Sequence, residues 1–313
     1  MLARTAGDLF WLARYMERAD YVARLLQVAG HMNAVRVDDD RSSEWESAIV
    51  AAGCLESFNE AGDTPDEESV IRFLAFDRSN PSSIANCIET ARRNARSVRT
   101  SLTTEMWEAV NVASQELAGF TDGPLDADRL AEFLEWVKAR VGLFHGVCSN
   151  GMLRRDSFCF IRTGQFLERA DNTARLLDVK YHVRLPDVSD VGGVVDYYQW
   201  LAILRVVGAR RAYRVLFKGR VQPAHVAELL IKRTVFPRSL AFCYEQITQH
   251  LDAIQAQDPD LAADARRQAH AMYAQLRFAR IDKVIEDGLH EYLTDVVDRT
   301  RDLGSEIAKG HLF

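Results

Sequence analysis

Two segments of nearly identical sequence contain the residues best suited to chemistry. YMERADYVARLL occupies residues 15–26, and FLERADNTARLL occupies residues 166–177. Each segment has a Glu-Arg dipeptide, then an aspartate, then a second arginine four residues after that aspartate. Arginine binds carboxylates and phosphates through paired N–H groups, while a carboxylate binds an amine or accepts a proton. The repeated residues therefore suit either ligand binding or proton transfer.

Helical spacing gathers these residues on one side of each segment. At 100° per residue, Glu17, Asp20 and Arg24 fall together, opposite an apolar side that we expect to pack into the core. The second copy of this triplet is Glu168, Asp171 and Arg175. Three further positions lie along one edge of this charged side. In the first copy they are Arg14, Arg18 and Tyr21, and in the second copy they are Gln165, Arg169 and Asn172.

The two charged sides have two interpretations. They could be solvated helix faces, on which ion pairs four residues apart contribute a few tenths of a kcal/mol each. Against this, the Glu-Arg dipeptide and the Asp-Arg pair are identical in both copies while other polar positions differ. If the copies face each other across a pseudo-twofold axis, their charged groups would line one polar groove. Such a groove would suit a carboxylate, a phosphate or a peptide end.

The sequence contains no motif for a metal or a cofactor. Carboxylate metal sites in helical bundles usually use E-x-x-H, but the third residue after Glu17 and after Glu168 is an aspartate. Phosphate-binding loops, dinucleotide fingerprints and nucleophile elbows are also missing from the sequence. We therefore expect no metal and no cofactor.

The similarity between the copies extends along about 90 residues of each half. At an offset of 151, Met1-Leu2 corresponds to Met152-Leu153. The offset grows slowly, as loop insertions require. Further matches are Trp45, Gly53 and Phe58 with Trp200, Gly208 and Tyr213 at 155, and Pro81, Ser83 and Cys87 with Pro237, Ser239 and Cys243 at 156.

Apolar residues between the loops recur at intervals of three and four, which is the period of a helix. Together with the repeat, this pattern predicts an all-α, multi-helix bundle built from two duplicated halves with pseudo-twofold symmetry. The halves would be residues 1–150 and 151–313, joined in one compact unit. Four prolines are expected to lie at or near helix starts. They belong to the pairs Thr64-Pro65, Asn80-Pro81, Gln222-Pro223 and Asp258-Pro259, and in the first pair Thr64 is expected to cap the helix.

Composition excludes several partners. The net charge of −6 gives no overall positive field, so nucleic acid and anionic membranes are not expected to bind. No apolar run approaches the ~20 residues of a membrane-spanning helix. The chain opens on polar residues and has five widely separated cysteines, which is typical of a cytoplasmic protein with reduced thiols.

Six stretches together resemble the bacterial alpha-E family. The stretches are LFWLARYMERADYVARLL, NPSSI at 80–84, ARRNARSVRTSLTTEMWEAVN at 91–111, GQFLERADNTARLLD at 164–178, FPRSL at 236–240 and GLHEYLTDVVDRT at 288–300. The resemblance implies an all-helical fold and a role beside a circularly permuted ATP-grasp ligase and a transglutaminase-like peptidase. Residue by residue it selects Glu17, Arg18, Glu168 and Arg169, with Arg14, Asn94 and Arg96.

Three functional hypotheses follow. In the first, the chain is an accessory or substrate-binding subunit that acts with an ATP-grasp peptide ligase on a peptide or amino acid. In the second, it is an enzyme of acyl or amide transfer with Glu17 or Glu168 as general base, which needs a raised carboxylate pKa. In the third, it is a structural dimerisation protein whose motif is an ion-pair lock. The substrate-binding residues would be Arg14, Arg18, Asp20, Arg24, Arg169, Asp171, Arg175, Asn94 and Arg96.

Overall fold

A computed structural model describes residues 1–34, 42–121, 126–182, 193–255 and 262–313. These residues are helical with short connections and include no strand, which confirms the all-α prediction. Within the same ranges, none of the helices has both the length and the apolar character needed to cross a membrane. The helices are α1 (Ala3–Asn33), α2 (Ser42–Ala52), α3 (Leu55–Ala61), α4 (Glu67–Ala75), α5 (Ile84–Ser97), a 3₁₀ turn (Arg99–Ser101), α6 (Thr104–Glu116), α7 (Ala118–Thr121), α8 (Ala127–Gly151), α9 (Asp156–His182), α10 (Val194–Val206), α11 (Arg210–Phe217), α12 (Pro223–Ile231), α13 (Leu240–Gln255), α14 (Ala263–Arg277), α15 (Ile281–Asp287) and α16 (Leu289–His311).

The two helices that carry the repeated segments, α1 and α9, pack against each other at the centre of the protein. The helices α2, α5, α8 and α10 also contact α1, and α2, α13 and α16 contact α9. Gly164 allows the close approach, because a Cβ atom there would lie 2.3 Å from the carbonyl oxygen of Phe10. Among the described residues, one hydrophobic cluster runs through both halves of the chain.

The central position of α1 overturns one interpretation of its charged side. Glu17 is 1% exposed and Asp20 is 2% exposed, and Glu168 on α9 is 2% exposed. These carboxylates are therefore not on a solvated helix face. Neighbouring helices surround α1, so Glu17 and Asp20 on its charged side meet protein and not water.

The residues that start the helices agree only in part with the proline pattern. Pro223 is the first residue of α12, as predicted. Thr64 is not the cap of α4; the carboxylate of Asp66 caps that helix by accepting the backbone N–H of Ser69 at 2.9 Å. The helix after Pro81 begins three residues later, capped by Ser83. Asp258-Pro259 lies outside the described residues.

Two turns that correspond in the sequence also have the same geometry. Gly53 has a φ angle of 71° and Gly208 has a φ angle of 73°, a conformation that glycine adopts without strain. The N–H of each bonds to the carbonyl three residues earlier, in Val50 and Arg205. Duplication with pseudo-twofold symmetry, and the division between residues 150 and 151 close to where α8 ends, remain predictions.

Candidate functional site

The two Glu-Arg dipeptides bind each other across the contact between α1 and α9. Arg169 on α9 donates to the carboxylate of Glu17 on α1. In the opposite sense, Nε of Arg18 on α1 donates to Oε1 of Glu168 on α9 at 2.6 Å. We call these four residues the Glu-Arg cross-pair. It is an arrangement in which each helix supplies one carboxylate and one guanidinium to the other.

On one side of the cross-pair, Glu168 has a second arginine partner. Nε of Arg14 donates to Oε2 of Glu168 at 2.6 Å. The guanidinium of Arg14 also lies 4.5 Å from the ring centre of Trp11, a cation–π contact that holds its orientation. Both oxygens of Glu168 are therefore bound by arginines.

On the other side, Glu17 meets a different set of neighbours. Gln165, which replaces the arginine of the first copy, donates from Nε2 to Oε1 of Glu17 at 3.3 Å. Nε2 of His145 on α8 lies 3.0 Å from the same oxygen. His145 was not predicted from the sequence, because it lies outside the repeated segments and has no motif around it.

The charged state of both glutamates is fixed by these partners. Burial opposes the ionisation of Glu168, but Arg18 and Arg14 more than compensate and lower its pKa from 4.5 to about 2. Burial also opposes ionisation of Glu17, yet Arg169 and His145 hold its pKa well below the usual value. The general-base hypothesis needs a raised pKa, so neither carboxylate meets its condition.

The two aspartates of the repeat have unequal surroundings. Asp20 accepts from Nε of Arg24 at 2.7 Å and from Nη2 of Arg238 at 2.9 Å. Asp171 accepts from Nε of Arg175 at 2.7 Å. The side chain of Asp20 is 3% exposed, whereas that of Asp171 is 19% exposed.

The exposed side of Asp171 faces a cavity that we call the polar cleft. Its volume is about 260 Å³. A neighbouring hollow of about 310 Å³ shares Arg175 and Arg301 with it and extends towards Asp178 and His290, whose Oδ1 and Nδ1 atoms are 2.7 Å apart. The polar residues that line the cleft are Arg18, Tyr21, Ser82, Glu168, Asp171, Asn172, Arg175 and Arg301.

A larger hollow of about 710 Å³ lies between α4 and α8. Its described lining combines apolar residues such as Ile71 and Phe120 with exposed acidic residues. It contains none of the repeated charged residues among the described ones. The polar cleft is the better candidate site, because the cross-pair forms part of its wall.

The structure brings most of the predicted residues together and leaves two apart. Asn94 and Arg96 lie on α5, where Arg96 is exposed, and neither is among the described residues that line the cleft. Arg238 and Arg301 were not predicted from the sequence, although Arg238 occupies the position in the second copy that corresponds to Ser82. Of the other predicted residues, Arg18, Glu168, Asp171 and Arg175 line the cleft. The remaining five do not: Arg14, Glu17 and Arg169 belong to ion pairs between α1 and α9, and Asp20 and Arg24 pair with each other on α1.

Comparison with known proteins identifies relatives of this chain. The chain is similar to uncharacterized protein Mb2597 of Mycobacterium bovis and to uncharacterized protein Rv2567 of Mycobacterium tuberculosis, each 25% identical over 317 residues. The matches cover 94% of this chain and 35% of each relative, so the chain spans about a third of their length. No solved structure matches the chain. A family model described as a predicted alpha-helical domain with a conserved ER motif matches residues 1–312, and the chain belongs to this Alpha-E family.

Proposed function

We propose that this protein is an accessory, substrate-binding subunit of the cytoplasm that acts with an ATP-grasp peptide ligase in the synthesis or modification of peptides or amides. The observation that carries the proposal is the polar cleft beside the cross-pair. Its wall presents guanidinium groups and carboxylates together, which are the groups that recognise amino acids and peptide ends.

The cross-pair supports a binding role more than a catalytic one. Its glutamates are buried and bound by arginine, so they remain anionic and are weak proton acceptors. What they do instead is hold the guanidinium groups in place. Arg18 is bound to Glu168 through Nε, and a guanidinium carries five N–H donors in all. The cross-pair therefore positions Arg18 in the wall of the cleft.

We also propose that the two halves of the chain are related by a pseudo-twofold axis between α1 and α9. The cross-pair supports this, because each helix binds the other through the corresponding dipeptide. The matched turns at Gly53 and Gly208 support it as well. A cleft next to such an axis would be built from both copies, and a change in either copy would alter it.

The ligase enters the proposal through the family resemblance. The relatives are about three times longer than the part of them that this chain matches. A helical subunit that binds substrate needs a partner to activate a carboxyl group with ATP, and an ATP-grasp ligase would do this. A transglutaminase-like peptidase would act on the product.

The test is reconstitution. The chain and an ATP-grasp ligase from the same cell are purified, and ATP-dependent amide formation on amino-acid mixtures is followed by mass spectrometry for each protein alone and for the mixture. We expect product only from the mixture. Asp171→Asn should raise the KM for the amino substrate while the complex still forms, and the exposed Asp264→Asn should change nothing. Amide formation by this chain alone would contradict the proposal in favour of an enzyme.

The structural hypothesis is favoured by one observation, the burial of the cross-pair itself. It differs from the proposal because it requires no ligand. If Asp171→Asn leaves the activity of the mixture unchanged and alters only the melting temperature, then the motif has only a structural role. The same result would show that the cleft does not bind the substrate.

A further inference from the structure

Arg238 occupies a place in one half of the chain that has no arginine in the other half. It lies in FPRSL at 236–240, which corresponds to NPSSI at 80–84, so that Ser82 stands where the second half has Arg238. Arg238 binds Asp20 at 2.9 Å. The counterpart of Asp20 is Asp171, and both Ser82 and Asp171 line the polar cleft.

The correspondence between Ser82 and Arg238 is structural as well as sequential. Each is followed by a serine that caps a helix: Oγ of Ser83 accepts the N–H of Asn86 at 3.3 Å, and Oγ of Ser239 accepts the N–H of Phe242 at 3.1 Å. The N–H of each serine also bonds to the carbonyl three residues earlier. Residues 82 and 238 therefore hold the same position in matching turns.

Because Ser82 carries no charge, Asp171 has fewer cationic partners than Asp20. Among the described residues, Asp20 has two arginine partners, Arg24 and Arg238, and Asp171 has one, Arg175. The polar cleft thus lies where a second guanidinium would be if the two halves were identical. Beside Asp20 this cation is the side chain of Arg238. Beside Asp171 the corresponding residue is Ser82, which carries no charge.

We propose that the polar cleft binds an amino acid or short peptide whose ammonium group takes, against Asp171, the place that the guanidinium of Arg238 takes against Asp20. The carboxylate of the same ligand is bound by Arg18 and Arg301, which also line the cleft. This inference rests on the proposed function and names its substrate class, a small zwitterion.

The charges around the cleft favour a zwitterion over a simple ion. A ligand carrying only negative charge would meet the carboxylates of Glu168 and Asp171, and one carrying only positive charge would meet three guanidinium groups, which belong to Arg18, Arg175 and Arg301. Like charges brought together disfavour binding by either ligand. A volume of about 260 Å³ limits the bound part to about one or two residues.

The first test uses glycylglycine and two of its blocked derivatives. Glycylglycine has both charges, N-acetylglycylglycine lacks the ammonium, and glycylglycinamide lacks the carboxylate. Binding to the full chain is measured by NMR titration. We expect glycylglycine to bind and each blocked compound to bind at least about tenfold more weakly, because each loses a charge-assisted hydrogen bond. Equal binding of the acetylated compound would overturn the inference, as would no binding of glycylglycine.

The second test fills the cleft from the protein side. Ser82→Arg should place a guanidinium against Asp171 and abolish glycylglycine binding without lowering the melting temperature. Ser97→Arg, which adds the same charge at an exposed position of α5, should leave binding unchanged. If Ser82→Arg does not fold, Asp171→Asn replaces it, with loss of binding expected again. Glycylglycine binding that survives in a folded Ser82→Arg protein would contradict the proposal.

The outcomes also separate this inference from the proposed function. If Ser82→Arg removes both dipeptide binding and the ligase-dependent reaction, both stand. If it removes dipeptide binding while the reaction of the mixture is unchanged, the cleft binds a zwitterion but the role with the ligase is wrong. If no dipeptide binds but the mixture still forms amides in a way that depends on this chain, the ligand class is wrong and the role as subunit stands.

Discussion

Glu17 on α1 is bound by Arg169 on α9, and the residues next to them, Arg18 and Glu168, are bound to each other in the opposite sense. The two pairs fix the position of one helix relative to the other, because a shift of either helix by one turn would separate both. Buried ion pairs add little net stability compared with apolar packing, but the loss of one partner is costly. The cross-pair is therefore best understood as a device that specifies how α1 and α9 pack.

Replacing Glu168 by glutamine should destabilise the protein strongly. The change removes the negative charge between Arg14 and Arg18 and leaves two largely buried guanidinium groups facing each other. We expect the free energy of unfolding to fall by about 3 kcal/mol, the lower end of the range for breaking a buried pair. Urea denaturation measures this loss. Asp264→Asn is the control, since Asp264 and Arg267 are exposed, and a similar loss there would contradict the explanation.

A double-mutant cycle should show that Glu17 and Arg169 act together. Glu17→Gln and Arg169→Gln each leave a buried charge without its partner, whereas the double variant leaves none from this pair. We expect the double variant to lose less free energy of unfolding than the two single variants lose together, by about 1–3 kcal/mol. The same cycle on Asp264 and Arg267 should give a coupling below about 0.5 kcal/mol. Additive losses at the first pair would mean that the contact does not couple the helices.

The pH dependence of stability should contain a contribution from Glu168. Its pKa in the folded protein is about 2, below the value of about 4.3 expected in the unfolded chain. The unfolded chain thus binds a proton first as the pH falls, so this stabilisation is complete above about pH 5 and is lost between about pH 4.5 and 2. Its size is on the order of 3 kcal/mol. Urea titrations should show a shallower acid slope in Glu168→Gln than in the wild type, and equal slopes would refute the assignment.

A second window of acid destabilisation should come from His250. Burial disfavours its charged form and lowers its pKa to about 4. The unfolded chain binds this proton near pH 6.5 and the folded protein only near pH 4, so stability falls as the pH drops between these values. His250 stacks on Phe166, and His250→Phe should remove this part of the slope. His270→Phe, at an exposed histidine beside Asp252, should keep it in the same denaturation series.

The helical fold could be predicted from the sequence because the period of the apolar residues is visible along the whole chain. The burial of Glu17 and Asp20 could not. A charged side that faces water and a charged side that faces the charged side of another helix have the same spacing, and only the contact with α9 separates them. Asp66 rather than Thr64 caps α4 for a similar local reason, since both residue types suit a cap and the geometry of Ser69 decides between them.

The candidate site was predictable to the extent that it repeats. The repeat located both halves of the cross-pair, but it gave no hint of His145, which occurs once. The difference between Ser82 and Arg238 is present in the aligned sequences. Its meaning appears only when Arg238 is seen to bind Asp20, because the sequence does not say which aspartate a distant arginine reaches.

The approach of α1 to α9 should depend on Gly164. A Cβ atom at this position would lie 2.3 Å from the carbonyl oxygen of Phe10, and backbone atoms cannot move aside as a flexible side chain can. Gly164→Ala should therefore force the two helices apart, strain the cross-pair and lower the free energy of unfolding by at least about 3 kcal/mol. Gly142→Ala is the matched control, because it lies within α8 with open space around it.

Gly142→Ala should raise the free energy of unfolding by about 0.5–1 kcal/mol, since alanine favours a helix interior over glycine. The two substitutions add the same methyl group to helical glycines, so opposite signs in urea denaturation would assign the difference to the contact with Phe10. If Gly164→Ala were as stable as the wild type, the helices would have room to separate. The cross-pair would then not depend on the close approach of α1 and α9.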